Sequence, residues 1–262
     1  MKARLLPGLL PLALLLPAAA GAGGPPSGIV TTPVPPDTSV RELGSQLYAG
    51  NCASCHGPQG EGVEAPRPAA GGNEGQGPPL RGVGALAADF YLRTGYMPLS
   101  RPDVQPRRSD VLFSERQIRA IVAYVASLGR GPAIPKPAPE RGNLSVGMRV
   151  FAEHCAGCHQ IVAQGGYLKG AVAPPLGDVT PTQVAEAVRI GPYVMPKFSK
   201  RVISDGELNS LIAYVVQTKH PDDRGGWGLG HIGPVPEGML TWLVAAAALV
   251  AVCVAIGRRL RV

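Results

Sequence analysis

The chain has 262 residues, including 35 Gly and 28 Pro, and only 5% of its residues are aromatic. Such a composition favours small domains with many loops over one large sheet-based core. The formal net charge is +7, but five of the 25 basic residues lie at the two extremes of the chain, and the remaining 20 nearly balance the 18 acidic residues. A near-neutral body lacks the basic surface that nucleic-acid binding requires, so we expect no nucleic-acid partner.

The first residues have the layout of a secretory signal peptide. A basic start precedes an apolar stretch at 5–16, and small residues follow at 18–22. The apolar stretch contains prolines and is short for a bilayer span, although an uncleaved anchor is the alternative interpretation. We therefore predict a signal peptide at 1–22, followed by a Pro-rich segment at 23–39.

The middle of the chain contains two copies of one module. "GSQLYAGNCASCHG" at 44–57 matches "GMRVFAEHCAGCHQ" at 147–160, and three further blocks recur in the same order. Recurrence of four blocks in one order indicates a duplicated domain. We predict domains at 40–130 and 143–221, joined by a semi-rigid, Pro-rich linker at 131–142.

Each copy has the pattern of a small helical domain. Apolar spacing predicts helices at 40–48 and 145–153, each leading into a cysteine motif. A second helix in each copy begins with a capping-box signature, formed by Ser114 with Gln117 and by Ser204 with Glu207. Between motif and final helix we expect long Gly- and Pro-rich loops that wrap a bound group. The predicted fold class is all-α, with two tandem domains and one C-terminal transmembrane helix.

That C-terminal helix is predicted from an uncharged run of 18 residues, "MLTWLVAAAALVAVCVAI". A helix of this length rises about 27 Å, enough to cross the hydrocarbon core. We predict a membrane-proximal segment at 222–238, a transmembrane helix at 239–257 and a basic cytoplasmic tail at 258–262. The positive-inside rule then places both domains outside the cell membrane, on a single-pass protein.

The repeated Cys-x-x-Cys-His motif is the attachment signal for c-type haem. Each thiol adds to a vinyl group of the porphyrin, and the histidine is the proximal iron ligand. A zinc site shared by four thiolates would fuse the two repeats around one ion, whereas each repeat has its own set of helices. A redox dithiol needs a βαβ context, which this sequence lacks. Structural disulfides would not require a histidine after each cysteine pair. We therefore predict two covalently bound haem c groups, attached through Cys52, Cys55, Cys155 and Cys158, with His56 and His159 as iron ligands.

Two methionines are candidates for the second axial position. Met1 is the initiator, Met148 lies in a predicted helix and Met239 opens the apolar run, whereas Met97 and Met195 stand at matching places in the two copies. Each precedes a proline, which favours a loop over a helix. Core filling is the alternative role for a methionine. Ligation by a thioether raises the reduction potential and closes the iron to other ligands, which suits electron transfer.

These motifs together resemble class I cytochrome c domains. In that family a Gly and an aromatic residue of the first helix pack against the last helix, and the pairs Gly44 and Tyr48 in copy one and Gly147 and Phe151 in copy two match. The resemblance implies packing against Ile121 and Tyr124 in copy one and against Leu211 and Tyr214 in copy two. It also implies that the carbonyls of Pro78 and Pro174 accept a hydrogen bond from the histidines. Copy two has Ala173 where the family usually has Gly.

The whole arrangement, with the segment "GGWGLGHIGPVPEGMLTW", is similar to the dihaem cytochrome c subunit of actinobacterial-type cytochrome bc complexes. The resemblance implies that electrons from menaquinol pass through a cytochrome b subunit and a Rieske iron–sulfur protein to the two haems. A terminal cytochrome oxidase would then accept them. It implies an electron-transfer subunit of a quinol–cytochrome c reductase, a translocase, without a substrate-transforming site of its own. The alternatives are a tethered dihaem carrier for a dehydrogenase or another oxidase, a dihaem peroxidase and a structural zinc protein.

Overall fold

The computed structural model describes residues 30, 34–64, 77–99, 108–168, 171–219 and 234–260. The predicted signal peptide at 1–22 and most of the predicted membrane-proximal segment at 222–238 lie outside these residues. The described part forms two helical units with separate hydrophobic cores, followed by one long helix. We refer to the two units as the first and second domains.

The described residues of the first domain form four helices: α1 (Val40–Asn51), α2 (Ala53–His56), α3 (Gly84–Arg93) and α4 (Glu115–Ser127). The hydroxyl of Ser39 caps α1 by accepting from the Glu42 amide. The predicted capping box of Ser114 and Gln117 begins α4. Helices α1, α3 and α4 pack together around buried aliphatic and aromatic side chains, so this domain has the core that its apolar periodicity predicts.

The second domain repeats this plan with additions. A 3₁₀ turn (Pro139–Arg141) precedes α5 (Leu144–His154) and α6 (Ala156–His159), then strands β1 (Gly166–Leu168) and β2 (Ala171–Ala173), and finally α7 (Pro181–Ile190) and α8 (Asp205–Lys219). The strands form an antiparallel hairpin with Tyr167 opposite Val172. The Ser204 hydroxyl accepts from the Glu207 amide, and the Glu207 carboxylate accepts from the Ser204 amide, as the capping-box signature predicts.

The first and last helices of each domain cross at a glycine. A Cβ at Gly44 would overlap the carbonyl oxygen of Ala120 and would lie 2.9 Å from the Cβ of Tyr124. One turn along α1, the ring of Tyr48 packs on that of Tyr124 with centroids 5.0 Å apart. Gly147, Phe151 and Tyr214 repeat this arrangement in the second domain, with ring centroids 5.3 Å apart. The helix contact implied by the family resemblance is therefore present in both copies.

The expectation of unbroken loops between each motif and the last helix was wrong. Helix α3 has buried Leu86 and Phe90 four residues apart, which is the apolar spacing of a helix face. Helix α7 begins with a capping box, in which the Thr180 hydroxyl accepts from the Gln183 amide, and carries a proline at its first position. Neighbouring Gly and Pro residues masked these local signals. The β1–β2 hairpin is also an addition to the all-α prediction, although the fold remains mostly helical.

The linker at 131–142 follows the surfaces of both domains. The Leu86 amide of α3 donates to the Pro132 carbonyl at 3.1 Å, and Ile134 packs against the core of the first domain. Further along, the Ala138 amide donates to the side chain of Asn209 on α8 at 2.9 Å. The linker therefore contacts the first domain near its start and the second domain near its end.

Helices α3 and α7 bring the two domains into contact. The side-chain amide of Gln183 donates to the Arg93 carbonyl across this interface at 3.4 Å. Asp89 on α3 and Glu186 on α7 are also buried. The contact surface therefore includes polar and charged groups that are shielded from water.

The last element, α9 (Pro234–Arg259), is long and apolar enough to cross a membrane between Glu237 and Arg259. The helix begins before the predicted start at 239. The prediction was based on a run of uncharged residues, whereas the start of the helix contains prolines and a glutamate. A proline in the first turn is compatible with a helix, since the amides there have no partner within the helix. Its apolar side chains are exposed to the surroundings, as a membrane-spanning helix requires.

Candidate haem sites

The second domain contains a cavity in which the predicted haem-binding residues meet. Its wall includes Cys155, Cys158, His159 and Met195. The rest of the second-domain lining is mostly apolar, and includes Phe151, Leu176, Val184, Val188, Leu211 and Val215. Two thiols, an imidazole and a thioether in one apolar cavity form the donor set that a c-type haem needs. The residues present therefore fit this group.

A break between two helices positions each cysteine motif. Cys155 caps the end of helix α5, its amide donates to the Phe151 carbonyl at 2.8 Å, and the single turn α6 begins directly afterwards. Positions i, i+3 and i+4 of one turn share a face, so both thiols and His159 point to the same side. The first domain repeats this geometry, with the Cys52 amide donating to the Tyr48 carbonyl at 2.8 Å.

A backbone carbonyl orients each histidine. The Nδ1 atom of His56 lies 2.8 Å from the Pro78 carbonyl oxygen, and Nδ1 of His159 lies 3.0 Å from that of Pro174. A carbonyl oxygen only accepts, so Nδ1 must carry the proton and donate. The Nε2 atom is then the free ligand atom in both domains. These are the two hydrogen bonds that the family resemblance implies.

Glycines let the proline loops approach the motifs closely. A Cβ at Gly77 would lie 2.5 Å from the Cys55 carbonyl oxygen and 3.0 Å from Nδ1 of His56. In the second domain, which has Ala173 at the corresponding place, a Cβ at Gly166 would lie 2.7 Å from the Cys158 carbonyl oxygen. Gly166 and Ala173 are paired in the β1–β2 hairpin. In the second domain, Gly166 of the hairpin therefore makes the close approach to the cysteine motif that Gly77 makes in the first domain.

Burial shifts the pKa of three groups at these sites. It raises the pKa of the Cys52 thiol to about 12 and that of the Cys155 thiol to about 11. Burial also lowers the pKa of His159, which favours the neutral imidazole that ligates a metal. Thiols with raised pKa values are poor nucleophiles for disulfide exchange, which argues against a redox dithiol.

The methionines lie at corresponding places beside the two cores. Met97 and Cys52 pack against the core of the first domain, and the Met97 amide donates to the Tyr91 carbonyl at 3.1 Å. The Met195 amide donates to the Pro192 carbonyl at 3.0 Å, which holds the loop beside the cavity. The structure therefore brings together all four predicted site residues of the second copy.

Residues of the first domain also line the cavity of the second, and sequence reasoning missed them. They are Phe90, Thr94, Tyr96 and Arg108. No motif marks these side chains, because their role depends on how the two domains pack. The duplication alone could not reveal it, since each repeat was interpreted as a self-contained unit.

Two small helical domains, each with a Cys-x-x-Cys-His turn beside its own apolar core, define a dihaem c-type cytochrome. Comparison with known families agrees. Residues 41–129 match the family described as "Cytochrome c", and residues 142–215 match "Cytochrome C oxidase, cbb3-type, subunit III". The chain therefore carries two covalently bound haem c groups, as predicted from its cysteine pairs.

Curated relatives identify the family. The chain is 34% identical to the cytochrome bc1 complex cytochrome c subunit of Corynebacterium diphtheriae, covering 89% of each chain. It is 37% identical to the subunit of the same name from Mycobacterium tuberculosis, over 94% of this chain and 89% of the relative. A weaker similarity, 29% identity over 66% of this chain and 60% of the relative, links it to the cbb3-type cytochrome c oxidase subunit CcoP of Azospirillum. This chain belongs to the family of cytochrome bc1 complex cytochrome c subunits, which confirms the resemblance. Its two domains transfer electrons, and its C-terminal apolar helix fits a membrane anchor.

Proposed function

We propose that this chain relays electrons from a Rieske iron–sulfur protein to a terminal cytochrome oxidase. The Rieske protein would receive them from menaquinol oxidised in a cytochrome b subunit. The observation that carries this proposal is identity of 37% over 94% of the chain to cytochrome bc1 complex cytochrome c subunits. In this role the chain is the electron-transfer subunit of a quinol–cytochrome c reductase, an enzyme of the translocase class. It has no substrate-transforming site of its own.

The proposed iron ligands are His56 with Met97 in the first domain and His159 with Met195 in the second. Support comes from the Nδ1 hydrogen bonds, which leave Nε2 free in both histidines, and from the cavity that His159 shares with Met195. When bound, haem supplies a one-electron iron couple. The histidine and methionine of each domain would then be the two iron ligands, and the apolar walls of the second-domain cavity would exclude water. Such a site favours electron transfer over peroxidase chemistry, which needs an open iron position.

The proposed orientation is a single pass through the cell membrane. Helix α9 is the span, both haem domains are extracytoplasmic, and the basic tail at 258–262 is cytoplasmic. Arg258 and Arg259 close the apolar helix, which supports this orientation by the positive-inside rule. A signal peptide at 1–22 agrees with export of the domains.

A second candidate is a tethered dihaem carrier that serves another oxidase or a dehydrogenase. The similarity to cbb3-type oxidase subunits favours it, although that match covers only 66% of this chain. The same two haem domains would serve either role, so the partner decides between them.

Affinity purification tests the proposal. Membranes are solubilised in mild detergent, the tagged chain is isolated, and its partners are identified by mass spectrometry. We expect a cytochrome b and a Rieske protein, and a terminal oxidase if the complexes are joined. Recovery of a dehydrogenase, or of the chain alone under conditions that keep such complexes whole, would overturn the proposal in favour of a tethered carrier.

A further inference from the structure

The first domain closes the haem cavity of the second domain on one side. Phe90, Thr94 and Tyr96 of the first domain lie in the cavity wall that also contains His159 and Met195. A partner protein therefore cannot reach the cavity through this wall. Electrons that cross here must pass through the first domain.

Three tyrosines meet beside this wall, where the two domains touch. Tyr193 of the second domain packs against both Tyr91 and Tyr96 of the first, with ring centroids 5.8 Å and 5.3 Å away. The rings of Tyr91 and Tyr96 are themselves 6.4 Å apart. These separations lie within the range of direct aromatic packing. The tyrosines thus form one contact that spans the domain boundary.

The cluster joins the two methionine loops. Tyr96 directly precedes Met97, and Tyr193 stands two residues before Met195. The Tyr91 carbonyl accepts from the amides of both Tyr96 and Met97, each at 3.1 Å. The backbone of Tyr96 and Met97 is therefore held at the C-terminal end of α3. The loops that carry the proposed sixth ligands face each other through the tyrosine rings.

The rings contact one another directly, although the cluster is not fully shielded from solvent. Tyr91 and Tyr96 are half-buried, and Tyr193 is 40% exposed. Each ring packs against the other two. Electron tunnelling decays less steeply through packed atoms than across a gap, so this contact is a favourable path.

We propose that Tyr91, Tyr96 and Tyr193 form the electronic contact between the two haem sites. Electrons then move between the haems through the methionine-bearing loops, inside the protein and without a diffusing carrier. This inference rests on the proposed function only in that both haems are bound. It holds whichever partners donate and accept the electrons.

The test measures internal electron transfer in the detergent-solubilised holoprotein. Pulse radiolysis reduces one haem per molecule, and absorbance follows the redistribution of the electron at a wavelength where the haems differ. We expect Tyr193→Leu and Tyr96→Leu to slow this redistribution roughly tenfold, equal to about 1.4 kcal/mol in activation free energy. Tyr193→Phe retains the ring and should keep the parent rate.

Tyr167 provides the matched control because it is 91% exposed on the β1–β2 hairpin of the same domain. Tyr167→Leu should leave the rate unchanged. Two haems per chain in each variant, with unchanged reduction potentials, exclude loss of cofactor or of driving force. Pulsed electron paramagnetic resonance measures the haem–haem distance, which should also stay constant.

Equal rates in the parent and both leucine variants would overturn the proposal. A slower rate that accompanies a longer haem–haem distance would overturn it too, since the rings would then act only as spacers between the domains. Neither result depends on which partners are recovered in the affinity purification, so failure here is distinguishable from failure of the proposed function.

Discussion

Glu186 of α7 faces Asp89 of α3 across the domain interface, and both carboxyl groups are buried, with Glu186 fully inaccessible to solvent. Asp89 accepts from the guanidinium of Arg93 at 2.8 Å and 2.9 Å, and Arg93 also pairs with Glu115. Among the described residues, none donates a hydrogen bond to either carboxyl oxygen of Glu186. Two facing carboxyl groups can hydrogen-bond only if one holds a proton. We infer that Glu186 is protonated and donates to Asp89.

The stability of the protein should therefore fall as the pH rises. Burial and the Asp89 charge raise the pKa of Glu186 from 4.5 to about 8. Between these values the folded state keeps a proton that the unfolded state has lost, so the free energy of unfolding decreases through this window and levels off above it. Glu186→Gln should remove this decrease, because an amide can donate to Asp89 without titrating. Denaturant unfolding of the solubilised protein across the window measures the effect.

Glu153→Gln is the control for this experiment, because Glu153 is exposed on α5 and lies away from the interface. This variant should keep the parent's dependence on pH. If Glu186→Gln shows the same decrease in unfolding free energy as the parent, the shared proton is not present.

The close helix crossing in the second domain predicts that one added methyl group at Gly147 lowers the free energy of unfolding. Gly147→Ala places a Cβ against the Ser210 carbonyl oxygen, which belongs to the backbone of α8 and cannot rotate away. Overpacking of this kind costs about 1–3 kcal/mol. The free energy of unfolding should fall by this amount, and the ring contact between Phe151 and Tyr214 should loosen.

A glycine with open surroundings gives the comparison. Gly206 lies in the first turn of α8, the helix that Gly147 contacts, and a Cβ there would meet no atom within 4 Å. Gly206→Ala should leave stability unchanged or raise it slightly, since alanine favours the helix. Equal losses of unfolding free energy in both variants would show that helix packing does not distinguish the two positions.

Local patterns in the sequence were enough to predict the parts of each site that lie close together in the chain. The Cys-x-x-Cys-His turn, the capping boxes at Ser114 and Ser204, and the helix before each motif all depend on neighbours within about one turn. The repeat also indicated Met97 and Met195 as candidate ligands, because these two of the five methionines stand at corresponding positions in the two copies.

Contacts between the domains could not be predicted in the same way. Tyr193 meets Tyr91 and Tyr96, and Glu186 meets Asp89, only because α3 packs on α7. These pairs are far apart in sequence and follow no periodicity. A buried glutamate in α7 also contradicts the usual rule that charged residues are exposed, so sequence patterning alone would place it on the surface.

Covalent attachment predicts a simple haem count. Replacing Cys52 and Cys55 together by Ser should leave one covalent haem per chain, held by the second domain, because each domain has its own motif and core. Haem staining of denatured protein and intact mass give the count. Cys253→Ser, which changes a cysteine exposed on α9, should retain two haems. A count of two in the double variant would show that these thiols do not attach haem.

The proposed ligation by Met195 predicts a change in reduction potential. A thioether ligand raises the potential of a haem relative to a second imidazole, so Met195→His should lower the potential of one haem and leave the other unchanged. Spectroelectrochemical titration measures both values, and loss of the charge-transfer absorption of methionine-ligated ferric haem reports the exchanged ligand. Met148→Leu is the control, because Met148 is 52% exposed on α5. If Met195→His leaves both potentials at the parent values, Met195 does not ligate iron and serves only to fill the cavity.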